Sequence, residues 1–171
     1  LFYENDDYGL GLAEAFEAKC AELGIEIVTT QTYVYGETVD YSTQLTATSG
    51  SGAEAIFVCG CVTEMGLICD QRSDYGCGDM MVLLSNGGYA PALLDYNTEG
   101  VYVQGEFDRE QSEKAKEFVE AFKTEYGYEP GNWAASAYDS ASIVIEAMKE
   151  CDGDITRASI NEKISGISFP G

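Results

Sequence analysis

The chain has 171 residues, 45% of them hydrophobic, a length that suits one compact domain with a core of ordinary size. Nine basic residues against thirty acidic ones leave a formal charge of −21, which would repel the phosphate backbone of nucleic acid and an anionic membrane surface, so no nucleic-acid partner is expected. The complete lack of histidine removes Ser-His-Asp and Cys-His nucleophilic arrangements, histidine general bases and mixed Cys/His zinc sites.

Leu1 to Tyr3 reads as the end of a buried strand. After the turn-like ENDD, Leu12, Phe16, Cys20 and Leu23 recur on one helical face, and Gly24 supplies the stop. The β-branched run IEIVTTQTYV reads as a second strand, and DYSTQLTATSGSG as a short, weak helix closed by glycines. AEAIFVCGC, residues 53–61, has the apolar character of a strand buried on both faces, and TEMGLICDQRSDYG follows with Met65, Ile68 and Cys69 at helical spacing. MMVLLSNGG supplies a fourth strand ending in a polar, glycine-rich turn, APALLDY a short helix, and EGVYVQGEF a fifth strand. This alternation predicts an α/β fold, a Rossmann-like parallel sheet with helices on both faces.

From about Asp108 the pattern changes. SEKAKEFVEAFKTEYG is an amphipathic helix with Ala115, Phe118, Val119 and Phe122 on its apolar side, and WAASAYDSASIVIEAMKE a second, more buried one. DITRASINEKIS gives a third, with Asp154 as its N-cap. Three helices without intervening strands place a boundary near Gly105.

Several sites can be weighed on residue chemistry. Gly9-Leu10-Gly11 lacks the third glycine of a dinucleotide fingerprint, whose place is taken by Glu14. Glu4, Asp6 and Asp7 lack the ligand order of a calcium loop and read as an N-cap with favourable charge at a helix start. Glu64 reads the same way, capping or facing solvent. The six cysteines form no C-x-x-C pair and read mostly as small buried hydrophobes, with a Cys69 to Cys77 disulfide left open. No cofactor motif or metal ligand set emerges. Open α/β sheets bind ligands beyond the C-terminal ends of their strands, and three loops there are conspicuous: DDYG, CGCVTE and SNGG. If their strands are neighbours, Tyr8, Cys61 and Asn86 converge on one crevice, where helix N-terminal amides suit an anionic group such as a carboxylate. Plainer roles stay open: Tyr8 packing over its own helix, Cys61 filling space, Asn86 in a left-handed turn, and Trp133 in a core.

Taken in order, YENDDYGLGLAEAF, GIEIVTTQTYVYGETVDYSTQL, AEAIFVCGCVTEMGLICDQ, LLSNGGY, EGVYV and AKEFVEAFKTEYGYEPGNWAASAYDS resemble the leucine/isoleucine/valine-binding protein family, the type I solute-binding proteins of ABC importers. The resemblance implies two Rossmann-like lobes closing on a branched-chain or related amino acid, without catalysis or cofactor. It also implies a membrane permease as partner and an extracellular or periplasmic location, with a lipid anchor on the full-length protein. It assigns residues 1–105 to the C-terminal lobe and 106–171 to a helical segment of the N-terminal lobe, the whole being part of a longer exported protein. By position, Tyr8 matches a tyrosine that packs on the ligand, and Cys61 a place where the family can carry a second tyrosine. Asn86 falls where the family often has an acid that pairs with the ligand's ammonium group, and Trp133 on an aromatic position reaching the cleft from the other lobe. Cys61 and Asn86 depart from that pattern, and Asn86 admits a carboxylate or amide ligand without an ammonium group. A sensory receptor domain of the same fold and an α/β enzyme working with carboxylates are the rival expectations.

Overall fold

A computed structural model of the chain describes residues 1–151, 153 and 155–169. They fall into two compact units, Leu1–Glu106 and Phe107–Gly171.

The first unit is built on a five-stranded sheet of order β2-β1-β3-β4-β5, in which every pairing is parallel. Its strands are β1 (Phe2–Glu4), β2 (Gln31–Tyr33), β3 (Ala55–Cys59), β4 (Met81–Leu84) and β5 (Val101–Val103), and the helices between them are α1 (Asp7–Leu23), α2 (Ser42–Ser49) and α3 (Val62–Gln71). β3 shows how the two-residue period of a strand serves both faces. Ile56 and Val58 join the core made with Leu45, Met65 and Ile68, whereas Phe57 and Cys59 meet Leu1, Ala13 and Phe16. The expected α/β sheet with helices on both faces is therefore present.

Local chemistry explains the element ends. Asp6, in extended conformation, accepts a hydrogen bond from Gly9 N at 2.7 Å and starts α1, and Gly24, at φ 70°, ends it. Leu23, expected on the packed face, is 60% exposed. A 17-residue helix is about 25 Å long against roughly 10 Å for the three-residue β1, so its last turn overhangs the strand. β2 is shorter than the predicted run because it is an edge strand whose partner, β1, offers three residues to pair with. Ile25 and Val28, upstream of the ladder, stay exposed. The APALLDY segment forms a 3₁₀ helix, Pro91–Asp95, and a second 3₁₀ turn covers Asn86–Gly88. All six cysteines are free, so the Cys69 to Cys77 disulfide is not formed; Cys77 Sγ instead donates to the Leu45 carbonyl.

The second unit contains α4 (Glu113–Tyr126), α5 (Asn132–Lys149) and α6 (Arg157–Ile164). Ser112 caps α4 by accepting from Ala115 N, and Phe118 stands among the rings of Phe107, Phe122 and Tyr138. Arg109 pairs with Glu129, which also meets Lys123. The expectation of a buried α5 does not hold: Asn132, Ala135 and Ala147 are inside, while Trp133, Tyr138 and Ile145 are exposed. Among its described residues this unit has no strand, and α5 keeps Trp133, Tyr138, Val144 and Ile145 exposed. The cap of α6 is Thr156, in a capping box with Ser159; Asp154, expected in that role, lies outside the described residues.

Candidate ligand-binding site

The strand order decides where a ligand can sit. From β1 the chain crosses to β2 on one side, while β3 lies on the other and continues to β4, so the order reverses between β1 and β3. A crevice opens at such a reversal, beyond the C-terminal ends of the strands. The loops after β1, β3 and β4 meet there.

Tyr8, in the first turn of α1, donates its hydroxyl to Asn86 Oδ1 at 2.9 Å across 78 residues of sequence. Burial raises the phenol above its ordinary value, so Tyr8 remains a protonated donor at neutral pH. Asn86 Nδ2 in turn donates to Glu106 Oε1 at 2.7 Å. The Tyr8 hydroxyl thus reaches a neighbouring loop, and no described residue other than glycine has positive φ, so Asn86 is not in a left-handed turn.

The loops after β3 and β4 are joined by a close backbone approach. A Cβ on Gly87 would lie 2.0 Å from Gly60 O and 3.1 Å from the Tyr8 hydroxyl, so a side chain there would drive the loops apart. Gly60 N donates to Ser85 Oγ at 3.4 Å. Cys61 is the half-buried N-cap of α3, and β3 ends before it, so it does not share a strand face with Cys59. Burial, followed by the nearby Glu4 charge, pushes its thiol up to about 11. Cys61 is accordingly a neutral thiol at physiological pH, unsuited to act as a nucleophile.

Two acids read from the sequence as serving helix starts are buried. Glu4 is 1% exposed and Glu64 2%. Glu4 Oε1 accepts from Cys61 N at 2.6 Å, and Glu64 Oε1 accepts from Gly36 N at 2.9 Å, while Glu64 Oε2 is buried without a hydrogen-bond partner. The pattern carried a signal for both: Glu4 shares a strand face with Phe2, and Glu64 lies one helical turn before Ile68. Their burial revises the electrostatics expected of the crevice. The amides at the starts of α1 and α3 that suited an anionic ligand group donate instead to the chain's own carboxylates, Gly9 N to Asp6 and Cys61 N to Glu4. The basic side chains of this unit, Lys19 and Arg72, are engaged elsewhere, Lys19 with Glu22 and Arg72 with the carbonyls of Cys69, Asn97 and Glu99.

Trp133 belongs to the second unit, where it is the second residue of α5 and 54% exposed, so it is not a core residue there. A separate cavity of about 490 Å³ lies beside α1, lined by Leu1, Phe16, Cys20, Ile27, Phe57 and Leu83; it contains none of the candidate ligand residues. Among the described residues no group of three or more cysteine, aspartate or glutamate side chains is arranged to hold a metal ion.

The profile of the periplasmic binding proteins matches residues 1–171. The chain belongs to the periplasmic binding protein family. A Leu/Ile/Val-binding protein homolog 7 from Brucella abortus is 24% identical over 182 residues, taking in 99% of this chain and 44% of that protein. The leucine binding protein LivK of Thermotoga maritima has a TM-score of 0.85 at 28% identity over 95% of this chain and 47% of its own. LivJ of Streptococcus pneumoniae, solved in complex with isoleucine, has a TM-score of 0.81 at 29% identity, again over 95% of this chain and 47% of its own. The chain thus spans less than half the length of these family members.

Proposed function

We propose that the chain is part of an exported solute-binding protein of an ABC importer that holds a branched-chain or related amino acid between two lobes. In this reading residues 1–105 belong to the C-terminal lobe and 106–171 to the N-terminal lobe, and hinge closure on the ligand presents the protein to a membrane permease. The full-length protein is periplasmic or extracellular, carries a lipid anchor and has no catalytic role. Ligand contacts fall to Tyr8, Cys61, Asn86 and Trp133.

The observation that carries the reading is the Tyr8 to Asn86 hydrogen bond, which binds two loops into one wall at the reversal of strand order. The neutral Asn86 favours a second reading, a carboxylate or amide ligand without an ammonium group. A thermal-shift panel of leucine, isoleucine, valine, aromatic amino acids and their keto acids on the full-length protein separates the two. A true ligand at 100 times its Kd adds about 2.7 kcal/mol of stability. Response to amino acids and not to keto acids supports the first reading, and the reverse pattern sinks it. Tyr8→Ala should weaken binding about tenfold without unfolding the protein, by loss of a ring contact and a hydrogen bond. Unchanged affinity removes Tyr8 from the site.

A further inference from the structure

The loop after β2, residues 34–40, has an apolar tip open to solvent: Val34 is 45% exposed, Tyr35 60% and Val39 69%. It is nevertheless held firmly. Val34 O accepts from Thr38 N at 3.1 Å and Val34 N donates to Thr38 Oγ1 at 3.0 Å, closing a turn in which Gly36 stands at φ 71°. From α3, Glu64 Oε1 accepts from Gly36 N, and two helical turns further on Gln71 Nε2 donates to Val39 O while Gln71 Oε1 accepts from Tyr41 N. Tyr41, fully buried, donates its hydroxyl to Thr38 O. The tether to Gly36 buries a carboxylate whose other oxygen has no hydrogen-bond partner, so the shape of this loop is kept at a cost. A tip fixed beforehand loses little conformational freedom when a partner covers it.

Place and charge say what kind of partner fits. β2 is one edge of the sheet, and the chain leaves the first unit from β5 at the other, roughly 19 Å away across four strand spacings. The loop stands at the crevice end of the sheet, but on the far side of β1 from the reversal of strand order where Tyr8 and Asn86 meet. It therefore forms an outer rim beside the ligand wall. Glu37 and Asp40, both exposed, flank the apolar tip, and the basic side chains of this unit, Lys19 and Arg72, are engaged elsewhere. A second copy would set acid against acid, and an anionic membrane surface would be repelled. A protein surface with an apolar socket and a basic rim is complementary to this loop.

We propose that the loop at residues 34–40 is a docking surface for the importer's permease, with Tyr35 and Val39 seated in an apolar socket and Glu37 facing its basic rim. The proposal rests on the importer reading above and names the part of the first unit that the permease touches.

The test is binding of the full-length protein to the importer's permease complex in nanodiscs, by surface plasmon resonance in the presence of L-leucine. The double variant Tyr35→Ser with Val39→Ser changes exposed side chains outside the ligand crevice, so its melting temperature and leucine affinity should match the wild type. Its affinity for the permease complex should fall about tenfold or more. Glu37→Lys should slow association several-fold at low salt and less at high salt. Leu23→Ser, at a position 60% exposed at the opposite end of the sheet, should leave docking unchanged, and an equal loss there would overturn the assignment to this loop. A wild type that docks, together with a double variant that docks equally well, overturns the role of the loop and leaves the importer reading standing. A wild type that binds leucine but not the permease complex overturns both. Self-association of the wild type that the double variant abolishes would assign the tip to a second copy, and flotation with phosphatidylethanolamine and phosphatidylglycerol vesicles that the double variant abolishes would assign it to the membrane; either result overturns the proposal.

Discussion

The two units of this chain bury their apolar residues in different ways. In the first, a parallel sheet gives every helix a surface to cover, and Phe2, Leu45, Ile56, Val58, Met65 and Ile68 are all 1% exposed or less. In the second, helices meet through rings and small residues, and Trp133, Tyr138, Val144 and Ile145 remain exposed along α5. An amphipathic pattern therefore predicts a helix in both units but a core only where an extended partner is present. The largest expected effect follows from that contrast. Ile56→Ala should cost roughly 2 to 5 kcal/mol, because it leaves a cavity between the sheet and α3. Ile145→Ala, at a position 50% exposed, should stay within about 0.5 kcal/mol. Hydrogen exchange resolved over each unit, with urea titration, measures both; equal costs would mean that α5 is packed as tightly as the sheet.

A smaller effect should appear where the crevice loops touch. Gly87→Ala forces a methyl group against Gly60 O, a backbone atom that cannot swing aside, and overpacking of this kind costs about 1 to 3 kcal/mol. Because the same methyl would crowd the Tyr8 hydroxyl, the variant should also lose ligand affinity. Glu64→Gln provides the contrast within the same unit. It keeps an acceptor for Gly36 N and removes a charge whose other oxygen has no hydrogen-bond partner, so it should unfold at an equal or higher urea concentration. A Gly87→Ala variant as stable as the wild type would show that the loops can part without cost.

What could be read from the sequence follows from distance along the chain. Strands, helices, the Asp6 cap and the Gly24 stop depend on residues a few positions apart, and all are found. The meeting of Tyr8 with Asn86 was legible because loops at one end of a parallel sheet lie close together when their strands are near neighbours, here β1 and β4 with only β3 between them. The burial of Glu4 was missed although its strand phase pointed inward, because the amide that makes burial tolerable belongs to Cys61, 57 residues away. Local pattern locates elements, whereas the partners that let charge enter a protein interior are set by topology.

The smallest effect tests that last point at Glu4. Burial holds its carboxyl above the ordinary value of 4.5, the Cys61 amide pulls the other way, and the charges of Asp6 and Glu64 add to the rise. A raised folded value means that the folded state binds the proton more tightly than the unfolded chain. The contribution of Glu4 is therefore greatest below its unfolded value, falls as pH rises through the folded value, and is constant above it. Glu4→Gln retains a neutral acceptor for Cys61 N and cannot ionise. Relative to the wild type, the variant should gain stability as pH rises from about 4 to about 7, measured by urea unfolding at each pH. A difference that does not change with pH would mean that the Cys61 hydrogen bond offsets the burial in full. Glu4 would then sit in the interior with its ordinary affinity for a proton, held there by one amide.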